Sequence, residues 1–114
     1  MKKRIDYIFS ALLLLLGAVH TILTPMFFKD FNEDFLWFAG TGLAFVFLAF
    51  LNFSRISTIF FNIRIMCLIG NLVGLFFIIC LMNTGVGVAP QAFVSLIVLL
   101  SLFLLSLYKG PRKN

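Results

Sequence analysis

The residues of this chain that could do chemistry lie inside long apolar segments. The single histidine, His20, follows five consecutive leucines, and it shares one helical face with Gly17, Thr21 and Thr24 in the stretch GAVHTILTP. An ionisable side chain inside a membrane segment is a functional-site hypothesis. His20 is therefore either a pH-sensitive or substrate-facing group, or a ring that packing and hydrogen bonds hold in place.

Further polar residues interrupt the third and fourth apolar segments. Asn71 lies near the middle of the third, where an unpaired amide would cost several kcal/mol, so it must find a partner. Gln91 and Ser95 lie one turn apart in the fourth. The candidate ligand-binding or polar-core residues are therefore His20, Thr24, Asn71 and Gln91.

Small residues mark the faces on which helices could approach closely. Gly70 and Gly74 form a small-xxx-small pair, and Gly40 with Ala44 forms a similar strip. Gly17 lies one turn from His20 and belongs to the small, polar face of the first segment. We expect helix packing at Gly17, Gly40, Gly70 and Gly74.

The composition is that of a membrane protein. Of 114 residues, 62% are hydrophobic and 11% are charged, against about 45–50% and 25% in soluble domains. Four segments approach the roughly 20 residues that span a bilayer, and they cover residues 5–24, 35–53, 63–82 and 90–108. The sequence predicts one all-α transmembrane domain over residues 1–114, a four-helix bundle with up-down-up-down topology.

Capping and turn residues predict where the helices begin and end. Pro25 should end the first helix, and Asn32 should cap the second. The stretch 83–87 should end the third helix, and Pro90 occupies the first turn of the fourth.

The positive charges predict the orientation. Eight of the nine Lys and Arg residues lie on one side, in the termini and the second connection, where Arg55 and Arg64 bound it. The first connection holds only Lys29, beside three acidic residues. The positive-inside rule then places both termini in the cytoplasm of a plasma membrane protein. Because the hydrophobic part is long and no convincing cleavage site follows it, we expect the first segment to be retained.

Several chemistries find no support in the pattern. One histidine cannot make a zinc site, and no phosphate-binding glycine loop or nucleophile elbow is visible. Cys67 and Cys80 should be separate thiols on nearly opposite helix faces. A glycosylation sequon at Asn52 falls at the cytoplasmic end of the second helix. We expect no enzyme activity, cofactor, metal or nucleic-acid partner.

The size and four-helix plan are similar to those of small multidrug-resistance transporters. Leucines stand where that family carries a membrane-embedded glutamate, and the charge asymmetry differs from the dual topology of some members. The chain looks more like the assortment of bacterial four-helix membrane proteins that includes DoxX-like ones, without a motif that assigns it there.

Two functions remain open at this stage. The first is a non-enzymatic accessory or interaction protein, in contact with membrane lipids, that associates with itself or with another membrane protein through its small-residue faces. The alternative is a transporter or binder of a small solute or lipid, with a polar site around His20 and Asn71 and with Thr24 or Gln91 as further ligands. A shared cavity at His20 and Asn71 would favour the second.

Overall fold

The computed structural model describes residues 2–84 and 90–108, and these residues form four α-helices without a β-strand. The helices are α1 (Lys2–Phe27), α2 (Glu33–Ser57), α3 (Phe61–Met82) and α4 (Pro90–Leu107). Each is long and apolar enough to cross a bilayer. The principal-axis extents are 54 × 23 × 23 Å, so the molecule is longer than the hydrocarbon core is thick.

The helices form a bundle in which each one packs against two others. The α1–α2 contact is the most extensive, followed by α3–α4, and the α1–α4 and α2–α3 contacts complete the ring. Apolar side chains from all four helices fill the centre of the bundle. They are Leu13, Phe45, Ala49, Leu75, Ile78, Val98, Leu99 and Leu102.

Most of the apolar surface faces outward. Within the most apolar 18 residues of each helix, only 17–33% are buried inside the protein. Large side chains such as Phe47 and Phe76 lie open on the surface. In water this surface would be unfavourable by about 25 cal/mol per Å², whereas lipid tails cover it at no such cost. The chain is therefore a membrane-embedded helical protein.

The helix ends follow their capping residues with one exception. The Asn32 side chain accepts a hydrogen bond from the backbone N–H of Phe35 at 3.0 Å, and Pro90 begins α4, so both predictions are confirmed. Helix α3 ends at Met82 with Asn83 as its C-cap, as predicted, although residues 85–87 of that stretch lie outside the described residues.

The prediction that Pro25 ends the first helix is wrong, because α1 continues to Phe27. A proline removes one hydrogen bond to the preceding turn and crowds a carbonyl there, but it does not oblige the helix to end. The regular pattern resumes after it, since the N–H of Phe28 donates to the Thr24 carbonyl at 3.0 Å. Helix α2 is also longer than predicted, and Arg55 lies in its last turn.

Contacts between charged and aromatic residues define one end of the bundle. Lys2 Nζ lies 3.4 Å from the centre of the Tyr108 ring, and Arg64 donates to the Tyr108 carbonyl at 3.2 Å. Arg55 pairs with Asp6 beside them. We call this the basic end; residues 28–32, which join α1 to α2, lie at the opposite end.

Candidate functional site

A cavity of about 250 Å³ lies between all four helices, toward the opposite end. Apolar side chains line most of it: Leu16, Val19, Leu23, Phe27, Phe38, Phe45, Ile78, Leu81 and Ala92. Four polar residues, one or more from α1, α2 and α4, complete the lining: His20, Thr41, Gln91 and Ser95. An apolar cavity with a few convergent polar groups is the usual form of a small-molecule site.

His20 lies in this wall and is half-buried. Its ring stacks on the Phe38 ring of α2, with 3.7 Å between ring centroids and 17° between planes. The rings of Phe27 and Phe28 also pack against Phe38, with centroid distances of 5.8 and 5.2 Å. The ring is thus positioned by aromatic packing and faces the bundle rather than the acyl chains, as its place on the small-residue face predicts.

The two hydroxyl groups in the cavity wall bond to their own helices. Thr41 Oγ1 donates to the Trp37 carbonyl at 2.9 Å, and Ser95 Oγ donates to the Gln91 carbonyl at 2.7 Å. These bonds satisfy the hydroxyl protons and leave the oxygen lone pairs as acceptors. The Gln91 side chain adds an amide that can both donate and accept.

The structure brings together two of the four predicted site residues. His20 and Gln91 line the cavity. Thr24 is buried behind His20 and donates its hydroxyl to the His20 carbonyl at 2.9 Å, so it supports the helix rather than lining the cavity. Asn71 lies in a different part of the bundle and is completely buried. The proposed single site around His20 and Asn71 is therefore two separate regions.

The partner of Asn71 is Asn52, in α2. The two amides bond reciprocally: Asn52 donates to Asn71 Oδ1 at 2.8 Å, and Asn71 donates to Asn52 Oδ1 at 3.0 Å. Asn71 also reaches the Ser106 hydroxyl at 3.2 Å, which ties α2 and α3 to α4. Both asparagines are fully buried, so this pair is a fixed cross-link between helices and not an open binding site.

An ion pair continues the polar chain to α1. Arg55 binds the carboxylate of Asp6 with two hydrogen bonds, one of them 2.8 Å long, and donates to Asn52 Oδ1 at 3.2 Å. Asp6 and Arg55 are each 8% exposed. A two-point contact between a carboxylate and a guanidinium is among the stronger hydrogen-bonded pairings in proteins. We call Asp6, Asn52, Arg55, Asn71 and Ser106 the buried polar chain.

Sequence reasoning missed the residues of the buried polar chain that lie on α1 and α2. The sequence pattern places Arg55 at the border of the second connection and marks Asn52 only as part of a sequon. The available signals were helical spacings: Asp6 lies four residues before Ser10, on the polar face of α1, and Asn52 lies three before Arg55. The Ser10 hydroxyl is buried on that face without a hydrogen-bond partner among the described residues.

Helices α1 and α2 approach each other closely at Gly17 and Gly42. A Cβ atom on Gly17 would lie 2.6 Å from the Gly42 carbonyl oxygen and 2.8 Å from the Val46 nitrogen. Gly40 takes no part in this contact: it is exposed, and a Cβ there would meet nothing within 4 Å. The prediction placed the small residue of α2 two positions too early.

Gly70 and Gly74 pack less tightly than Gly17. A Cβ on Gly70 would lie 2.9 Å from Leu48 Cδ1, and one on Gly74 would lie 3.2 Å from Leu48 Cδ2. Both neighbours are the ends of a flexible side chain, which can rotate, so these glycines make room for a leucine of α2 rather than for its backbone.

The described part of the chain holds no cluster of metal-ligating side chains and no disulfide bond. No group of three His, Cys, Asp or Glu residues within 2–84 and 90–108 lies close enough to hold a metal ion. Cys67 is buried beside Asn71 and Cys80 is exposed, and both are free thiols.

Comparison with protein-family models, with curated proteins and with solved structures finds no match to this chain.

Proposed function

We propose that this chain is a multi-pass protein of the plasma membrane that binds a small molecule in the cavity between its four helices and catalyses no reaction. The observation that carries the proposal is the cavity itself, in which His20, Thr41, Gln91 and Ser95 interrupt an otherwise apolar wall. Polar groups that converge on an otherwise apolar cavity are typical of small-molecule sites.

The interaction function has less support than ligand binding. Self-association through small residues needs glycines on an outward face. Gly17 and Gly42 are buried against each other, and Gly70 and Gly74 contact Leu48 within the chain. Of the four glycines proposed for helix packing, only Gly40 remains open to a partner or to lipid.

We propose further that the helices alternate in direction, with both termini in the cytoplasm. The contacts of Asp6 with Arg55 and of Arg64 with Tyr108 support alternation, because each joins the start of one helix to the end of another. Eight Lys and Arg residues on one side against Lys29 on the other support the orientation. The cavity then opens nearer the outer side of the membrane.

Reporter fusions test the topology directly. A fusion after Tyr108 should be active only as a cytoplasmic reporter, and one inserted after Thr84 should be active only outside. The reverse pattern would overturn the orientation, and two reporters on the same side would overturn the alternation.

Ligand binding is tested by filling the cavity. Ala92 lines it and is 7% exposed, so Ala92→Leu should occupy part of the volume. Ala44 is exposed on the outward face of α2, so Ala44→Leu makes the same change without touching the cavity. Native mass spectrometry of the purified proteins should find a co-purified small molecule on the wild type and on Ala44→Leu, and none on Ala92→Leu. Equal occupancy of all three proteins, or none on any, would refute the proposal.

A further inference from the structure

We propose that the cavity takes a neutral, mainly apolar molecule of about ten non-hydrogen atoms whose polar end is a hydroxyl group or another hydrogen-bond donor. This inference rests on the proposed function, because it names the chemical class of ligand that the same cavity binds.

The charge of the ligand follows from the lining. None of the residues that line the cavity is an Asp, Glu, Lys or Arg, and His20 is the only ionisable one. A charged headgroup would leave water for a site without a permanent counter-charge, which is strongly unfavourable. The buried charged residues in the described part of the chain, Asp6 and Arg55, lie outside the cavity and neutralise each other.

The polarity of the ligand follows from the hydroxyl groups. The hydroxyl groups of Thr41 and Ser95 donate their hydrogen bonds to the backbone carbonyls of Trp37 and Gln91. Each of these two oxygens then offers only lone pairs to the cavity, so a molecule bound against them gains by donating a hydrogen bond. An alcohol or an N–H group does so, whereas an ether or ester of the same size cannot.

The size of the ligand follows from the volume. An apolar cavity of about 150 Å³ binds benzene, which has six non-hydrogen atoms. Scaled in proportion, the 250 Å³ found here corresponds to about ten such atoms. A medium-chain or small cyclic alcohol has this size, and a whole phospholipid does not.

Matched probes separate these properties. The protein is purified in detergent and titrated, with native mass spectrometry as the readout, with 1-nonanol, with octyl methyl ether and with nonanoate. The first two have equal numbers of non-hydrogen atoms, and only the alcohol can donate. We expect one nonanol per chain, bound about tenfold more tightly than the ether, as one or two hydrogen bonds predict. Nonanoate should bind more weakly than nonanol.

A double variant tests the acceptors. Thr41→Val with Ser95→Ala keeps the shape of the wall and removes both hydroxyl oxygens. It should lower nonanol affinity toward that of the ether while leaving ether binding unchanged, and the unchanged ether binding shows that the cavity is intact.

The other outcomes overturn the inference. Tighter binding of nonanoate than of nonanol would show a charged ligand, and equal binding of alcohol and ether would show that the hydroxyl acceptors are not used. A co-purified phospholipid that Ala92→Leu removes would refute the proposed size while leaving ligand binding itself intact. No binding of any probe, with no co-purified molecule, would refute both proposals.

Discussion

The contact between Gly17 and Gly42 makes the sharpest prediction about stability. Gly17→Ala adds one methyl group, 2.6 Å from the Gly42 carbonyl oxygen, 2.8 Å from the Val46 nitrogen and 2.9 Å from Phe45 Cβ. All three neighbours belong to the α2 backbone or are attached directly to it, so none can rotate away. Helix α1 must therefore move away from α2 at this contact.

The expected loss of unfolding free energy follows from comparing Gly17→Ala with Gly40→Ala. Overpacking of this kind costs about 1–3 kcal/mol of unfolding free energy. Alanine also favours the helix over glycine by up to about 1 kcal/mol, which partly offsets the loss. Gly40→Ala has the same propensity gain, and its methyl group meets nothing within 4 Å. The difference between the two variants therefore isolates the contact, and it should be about 1–3 kcal/mol.

The measurement is the free energy of unfolding of the two variants and the wild type in one detergent, from denaturant titration, with thermal midpoints as a second ranking. Gly40→Ala should equal or exceed the wild type, and Gly17→Ala should fall below it. If Gly17→Ala is as stable as Gly40→Ala, the close approach of α1 and α2 is not present in the folded protein, and the reasoning fails.

Three further predictions concern the buried polar chain and the cap of α2. Asn71→Leu leaves the buried amide of Asn52 without its partner and should cost about 1–2 kcal/mol of unfolding free energy. In a double-mutant cycle, Asn71→Leu with Asn52→Leu should cost less than the sum of the two single variants. Strict additivity would contradict the pairing. Arg55→Met leaves the carboxylate of Asp6 without its partner and should cost about 3–5 kcal/mol of unfolding free energy. Adding Asp6→Asn should recover part of this loss, and the thermal stabilities of the single and double variants measure the recovery. No recovery would show that the two residues act independently. Asn32→Ala removes the cap and should cost about 0.5–2 kcal/mol, with faster amide exchange confined to the first turn of α2; exchange unchanged in that turn would rule out the cap.

The number and type of the helices could be predicted from the sequence, because lipid imposes a simple requirement. A segment that crosses the bilayer must be apolar for about 20 residues and must satisfy its own backbone as a helix. The four segments meet this requirement, and local signals such as Asn32 and Pro90 located their ends. The need of Asn71 for a partner was also readable, since an unpaired amide is costly in any such fold.

The identity of the partners was decided only by the tertiary structure. Asn52 and Asn71 are 19 residues apart, and Asp6 and Arg55 are 49 apart, so no local spacing relates them. The sequence places Arg55 at the border of the second connection because the apolar run ends at Phe53, whereas the helix continues to Ser57.

The glycines of α2 show why the sequence alone could not decide which helix face points into the bundle. Two residues along a helix are about 200° apart, so the two glycines lie on nearly opposite faces. In a soluble helix the polar face would identify the outside and thereby fix which glycine points inward. In α2 both faces are apolar, because one meets lipid and the other meets the bundle, and only the packing of α1 against Gly42 decides the rotation of the helix.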